Sequence, residues 1–216
     1  MLEHLVKTFF VFFIVVEPVS LVPMFAAMTQ GGTPAYQRRM AVKGSLIAAL
    51  ILIVFALIGD VLLKTLGISV GAFKIAGGLL LFLVALDMVF ARRSGLRSTT
   101  IREQEEAKFR EDISVFPLAF PLIAGPGALA TLLLLLGEAD GDPLMFISLL
   151  GVVLLVIAIT LMLLVAVTPL VRVIGVTCAN VVSRLLGVVL AALAVQYVVE
   201  GIGEIFEVGV YASLML

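Results

Sequence analysis

Pro18-Val-Ser-Leu-Val-Pro23 and, about a hundred residues later, Pro121-Leu-Ile-Ala-Gly-Pro126 carry the same proline spacing in the middle of two long apolar runs. Proline lacks a backbone donor and its ring clashes with the preceding turn, so two prolines in one span should break or sharply bend a helix. Within a bilayer, freed backbone groups are tolerated only where protein or a watery cavity satisfies them. Broken helices at corresponding places in two halves of a chain point to the binding site of a transporter.

The composition sets the solvent. Of 216 residues, 62% are hydrophobic and 13% are charged, against about half and a quarter in a soluble domain. An integral membrane protein follows. The net charge of −1 and the absence of a basic stripe leave nothing for nucleic acid. Cys178 is the single cysteine and cannot form an internal disulfide. The amino terminus runs on through its apolar stretch without a small-residue cleavage site, and reads as a retained first helix.

Spans of roughly 20 apolar residues occur at Leu5–Met28, Ala41–Leu63, Val70–Phe90, Ile113–Leu136, Pro143–Val167 and Thr177–Glu200. Between them lie turn signals such as Gln30-Gly-Gly-Thr-Pro34 and the acidic Glu138–Pro143. The expected fold is an all-α membrane protein of six transmembrane helices. Residues 1–91 form a first three-helix repeat, 92–112 a charged linker and 113–216 a second three-helix repeat. Most lysines and arginines, among them Arg38, Arg39, Lys43 and Arg92, fall on the first, third and fifth connections. The positive-inside bias therefore places those connections in the cytoplasm and both termini outside.

Three helices per half is an odd number, so the second half enters the membrane from the opposite side. The proline pairs correspond between helices one and four. Lys74-Ile-Ala-Gly77 and Arg184-Leu-Leu-Gly187 correspond between helices three and six. Two coincidences in matching order argue for a 3+3 inverted repeat with helices one and four broken.

Glu17 is the most telling ionisable residue, since a mid-membrane carboxylate is costly and is by default a functional hypothesis. It is a candidate proton carrier or ammonium ligand; the bland alternative is a packing partner. Pro18, Ser20 and Pro23 should free backbone groups over Val19–Val22. Pro121, Ala124, Gly125, Pro126 and Gly127 form a second break whose glycines admit a close-approaching ligand. Half-helix amino ends suit a carboxylate, whereas carboxyl ends and free carbonyls suit an ammonium, so a small zwitterion matches both.

Thr131 and Ser114 flank this break and offer hydroxyls, although bonding back to their own helix is the commoner fate. Lys74 and Arg184 are candidate gates, or anchors that snorkel or pair with Asp87 or Glu200. Asn180 lies one turn before Arg184 on the same face. Gln196, alone among aliphatics, suggests an interhelical hydrogen bond. Gly71, Gly78 and Lys74 share a face of helix three that should pack closely. His4 is the sole histidine, no serine or cysteine has an evident base, and no phosphate loop is present. An enzyme, a metal and a cofactor are not expected, and transport without an ATP motif must be secondary or passive.

Four motifs carry a resemblance: Glu17-Pro-Val-Ser-Leu-Val-Pro23, Phe73-Lys-Ile-Ala-Gly-Gly78, Phe116-Pro-Leu-Ala-Phe-Pro-Leu-Ile-Ala-Gly-Pro-Gly127 and Ser183-Arg-Leu-Leu-Gly187. The chain resembles the MarC family of bacterial inner-membrane proteins, also classed as neutral amino-acid transporters. The resemblance implies six helices, an inverted repeat and transport of glycine, alanine or similar small neutral amino acids. A proton or cation would couple the movement, and the site would lie at Pro18–Pro23 and Pro121–Gly127. Two other readings stay open. One is a small-ion channel lined by the freed carbonyls; the other is a non-transporting scaffold that recruits partners through Arg92–Asp112.

Overall fold

The computed structural model describes residues 2–90, 112–137 and 142–214. All regular structure among them is helical. Helix α1 (Leu2–Val16) is followed, after Glu17 alone, by α2 (Pro18–Met28); α3 is Pro34–Thr65 and α4 is Val70–Phe90. A wide-turned segment, Ser114–Ile123, precedes α5 (Pro126–Gly137), α6 (Pro143–Val165) and α7 (Val167–Leu214). Among the described residues, five stretches are long and apolar enough to cross a membrane. A sixth is reached if Ser114–Ile123 and Pro126–Gly137, bent by 52° relative to one another, count as one span. Apart from Asp112, the linker expected over 92–112 lies outside the described residues, as do 138–141 of the acidic turn.

Helix ends follow local chemistry. Helix α3 begins seven residues before the expected Ala41. Thr33 caps it, its Oγ1 accepting from the Tyr36 amide at 3.2 Å, and Pro34 needs no donor in the first turn. The expectation rested on hydropathy, which cannot see a polar first turn. Asp142 caps α6 in the same way, accepting from the Leu144 amide at 2.9 Å. Helix α7 continues well past the expected Glu200 and is interrupted at Gly175, whose φ of 60° is in the region that favours glycine.

Helices α4 and α7 pack antiparallel through small residues spaced seven apart on each. A methyl added at Gly71 would meet the Gly201 carbonyl oxygen at 2.9 Å, and one at Gly78 would meet that of Ala194 at 2.7 Å. One at Gly187 would meet the Ala85 carbonyl oxygen at 3.1 Å. Such faces let backbones approach where lipid offers no hydrophobic drive for association. Helix α3 runs alongside the Ser114–Gly137 stretch in the same direction. Its Gly44 lies against Leu118 and its Gly59 against Leu133. At one end, Gln37 links α2 to α7, donating to Thr29 Oγ1 at 3.2 Å and accepting from Thr168 Oγ1 at 3.4 Å.

Lys43 of α3 is paired with Asp112, and the Ser114 amide also donates to Asp112, at 2.9 Å. The Lys43 hydrogen bond first, then those from Ser114, hold the Asp112 carboxyl down at about 2, from an ordinary 3.8. A depressed carboxyl pKa contributes stability that is complete above about pH 4 and is lost as pH falls through about 2. Both groups are more than two-fifths exposed, so the contribution is screened to about 1 kcal/mol or less. Asp112→Asn should therefore lower Tm slightly and uniformly from pH 8 to 5. Carboxyl NMR should show Asp112 titrating near 2; titration near 4 would remove the pair from the account.

Candidate functional site

The first interruption falls at Glu17, before the Val19–Val22 stretch that the proline pair is expected to unwind. Its φ of 52° is left-handed, which costs a non-glycine residue about 1 kcal/mol or more. The turn is pinned from both sides. The Glu17 amide donates to the Phe13 carbonyl at 2.8 Å, closing α1, and its own carbonyl accepts from the Ser20 amide at 3.1 Å, opening α2. Pro18 occupies the first position of α2, where a missing donor is harmless, and Pro23 sits inside α2 without ending it. The expectation of unwound backbone over Val19–Val22 is corrected accordingly: Pro18–Met28 is helical. What opens is the carboxyl end of α1, since residue 18 has no N–H to give the Ile14 carbonyl.

The Glu17 side chain is 4% exposed, and Ser20 Oγ donates to its Oε1 at 2.7 Å. A buried carboxylate on a left-handed residue combines two costs at one position, as functional sites often do.

The second interruption is at Ala124–Gly125. Before it, the chain winds widely, with the Leu118 amide donating to the Ile113 carbonyl at 3.1 Å and the Ala124 amide to the Ala119 carbonyl at 2.9 Å. Phe116 and Phe120, each preceding a proline, are extended rather than helical. Gly125 is demanded by space, because a methyl there would stand 2.2 Å from the Pro121 carbonyl oxygen. Helix α5 then restarts at Pro126, and its first turn presents the Gly127 and Ala128 amides without helical acceptors.

The two interruptions are neighbours. A methyl added at Gly127 would lie 3.8 Å from Val15 of α1, two residues before Glu17. The same methyl would lie 3.5 Å from Val84 and 3.9 Å from Leu81, so α4 closes a third side.

Thr131, one turn beyond Gly127, is fully buried, and its hydroxyl has no hydrogen-bond partner. Thr29, Thr65 and Thr160 all donate back to the carbonyl four residues earlier. Thr131 departs from the commoner fate expected of it.

Other candidates fall elsewhere. Lys74, 15% exposed, is paired with Glu204 and lies 3.9 Å from Glu200. Glu200 was an expected partner; Glu204, one turn further on, was missed because the helix was expected to end before it. Asp87 is half-buried on α4, whereas Asn180 and Arg184 are exposed on α7 and do not line the interruptions. Ser114 serves Asp112 rather than the break. Gln196 donates to Glu200 on its own helix at 2.9 Å, not across helices. Ser45, buried at 2% with an unpartnered hydroxyl, escaped notice among the aliphatics of α3. Among the described residues, no three histidine, cysteine, aspartate or glutamate side chains gather to hold a metal.

The resemblance to a known family meets the test of comparison. The MarC family of integral membrane proteins matches residues 2–206. This chain belongs to that family. Its relatives are full-length matches. A UPF0056 membrane protein of Methanocaldococcus jannaschii is 36% identical over 203 residues, covering 93% of this chain and 97% of that protein. The UPF0056 membrane proteins YvbG of Bacillus subtilis and YhcE of Escherichia coli are 33% and 34% identical. They cover 96% and 93% of this chain, and 98% and 92% of their own lengths. No solved structure matches the chain. As a MarC-family protein it is an integral membrane protein, and both interruptions lie within the matched residues.

Proposed function

We propose that this protein is a secondary transporter of small neutral amino acids, of the glycine or alanine type, working by alternating access in the bacterial inner membrane. The observation that carries the reading is the adjacency of the two interruptions, with Val15 against Gly127. In this account each is the break in the first helix of a three-helix repeat, and the repeats are inverted. The antiparallel α4–α7 pair supports that arrangement, since these are the third helices of the two halves. The lysine and arginine bias supports cytoplasmic first, third and fifth connections with both termini outside.

The chemistry assigns the ends of a zwitterion. The Gly127 and Ala128 amides, at the positive end of α5, take the carboxylate, and glycine lets it approach. The Glu17 carboxylate and the carbonyls closing α1 take the ammonium, with Thr131 Oγ1 supplying a further hydrogen bond. Glu17 is then also the group through which a proton or cation couples to transport. Lys74, tied to Glu200 and Glu204, clamps α4 to α7 and acts as a gate rather than a ligand. No covalent chemistry is assigned, so the protein is not an enzyme in this reading.

Saturable binding of radiolabelled glycine to purified protein, competed by alanine, is the expected result. Thr131→Val removes a hydroxyl that has no partner in the protein, so Tm should hold while glycine affinity falls about five- to tenfold. Absence of binding by any small neutral amino acid would overturn the reading.

A further inference from the structure

The geometry points to a site for one anionic phospholipid on the outer face of α3, its phosphate held by Arg38 and Arg39 and an acyl chain laid along the helix. A shallow, open groove at this end of α3 is lined by Ala35, Arg38, Arg39, Val42, Lys43 and Leu46, all on one face of the helix. Among the described residues, the carboxylate paired with these three cations is Asp112, which neutralises Lys43 and leaves the two arginines in excess. A guanidinium binds phosphate in a bidentate fork, and two adjacent ones suit a phosphodiester better than a single carboxylate.

Directly below the groove, Leu46, Leu50, Val54, Leu57 and Val61 are between 44% and 62% exposed. They recur every three or four residues, in line with Arg39 and Lys43, so head and tail contacts share one helical face. From Leu46 to Leu57 the stripe runs about 16 Å at 1.5 Å per residue, roughly one leaflet of a bilayer core. Near an anionic leaflet each juxtamembrane arginine adds about 1 kcal/mol of attraction, so the two together favour an anionic headgroup.

A second copy of the chain fits this face less well. Where this protein joins helices, at α4 and α7, it does so through glycine and alanine every seven residues. Most small residues of α3, Ala41, Gly44, Ser45, Ala48, Ala56 and Gly59, turn inward and are buried, whereas Ala49 is half-buried and Ala35, at the headgroup end, is exposed. The outward stripe is branched and bulky, and two copies would bring arginines together.

Native mass spectrometry of the full-length protein, titrated with dioleoyl-phosphatidylglycerol or dioleoyl-phosphatidylcholine, tests the site. The expected result is one retained phosphatidylglycerol, bound at least about tenfold more tightly than phosphatidylcholine. The exposed pair R38Q/R39Q should erase that preference, and Asp112→Asn, which frees Lys43, should strengthen it about threefold. Equal affinity of wild type for the two lipids would overturn the site, as would an unchanged preference in R38Q/R39Q. A lipid-independent dimer disrupted by R38Q/R39Q would assign the face to a second copy instead. Equal stabilisation by inorganic phosphate alone would remove the acyl chain from the account.

Discussion

Glu17→Gly is expected to leave Tm within a few degrees of wild type while lowering glycine flux more than tenfold. Stability and activity separate here because Glu17 carries costs that offset what its contacts contribute. Its left-handed φ of 52° is free to glycine and costs a side-chain-bearing residue about 1 kcal/mol or more. A carboxylate enclosed at 4% exposure adds a further desolvation cost. Against these stand the hydrogen bond from Ser20, worth about 1.5–3 kcal/mol for a charged acceptor, and the further contacts of Glu17.

Glu17→Ala separates the two reliefs, since it removes the acid but keeps the backbone cost. Its Tm should lie about 2–4 °C below that of Glu17→Gly. Thermal unfolding in detergent and flux in liposomes measure both. A structural role for Glu17 would show the reverse pattern, with Tm falling by several degrees in both variants and flux falling only in proportion to folded protein.

Gly125→Ala and Gly127→Ala should fail in opposite ways although only two residues apart. At Gly125 the new methyl would stand 2.2 Å from the Pro121 carbonyl oxygen, and a backbone atom cannot swing aside. The bend between the wide-turned segment and α5 must then shift, at about 3 kcal/mol, lowering Tm by about 5–10 °C. At Gly127 the nearest neighbour is a Val84 methyl at 3.5 Å, which is ordinary contact. Tm should hold, but the methyl occupies the space between the interruptions, and glycine binding should fall about tenfold. A stable Gly125→Ala protein would mean the bend is not as described. Unchanged glycine affinity in Gly127→Ala would move the site elsewhere.

Membrane class was legible from composition, because a chain with so few charges cannot be solvated as a soluble domain. Span positions were legible from hydropathy, and their ends were not. The start of α3 depends on a threonine cap, and the continuation of α7 runs through Gly201, Gly203 and Glu204, residues that read as the end of a span.

At the candidate site, the proline spacing drew attention to the right stretches but placed the first interruption over Val19–Val22, which is helical, rather than at Glu17. Proline at the first position of a helix starts it as readily as proline in the interior breaks it, and spacing alone cannot tell which applies to Pro18. The adjacency of Val15 and Gly127, the unpartnered Thr131 hydroxyl and the Lys74–Glu204 pair are relations between distant parts of the chain. No single helix carries the signal for any of them.

The most direct test is radiolabelled glycine flux into proteoliposomes of wild type and Glu17→Gln, with and without a pH gradient. The account predicts saturable flux, competed by alanine and lost in Glu17→Gln protein that still folds. Absence of flux for every small neutral amino acid, in either direction, would contradict it, as would full flux in Glu17→Gln.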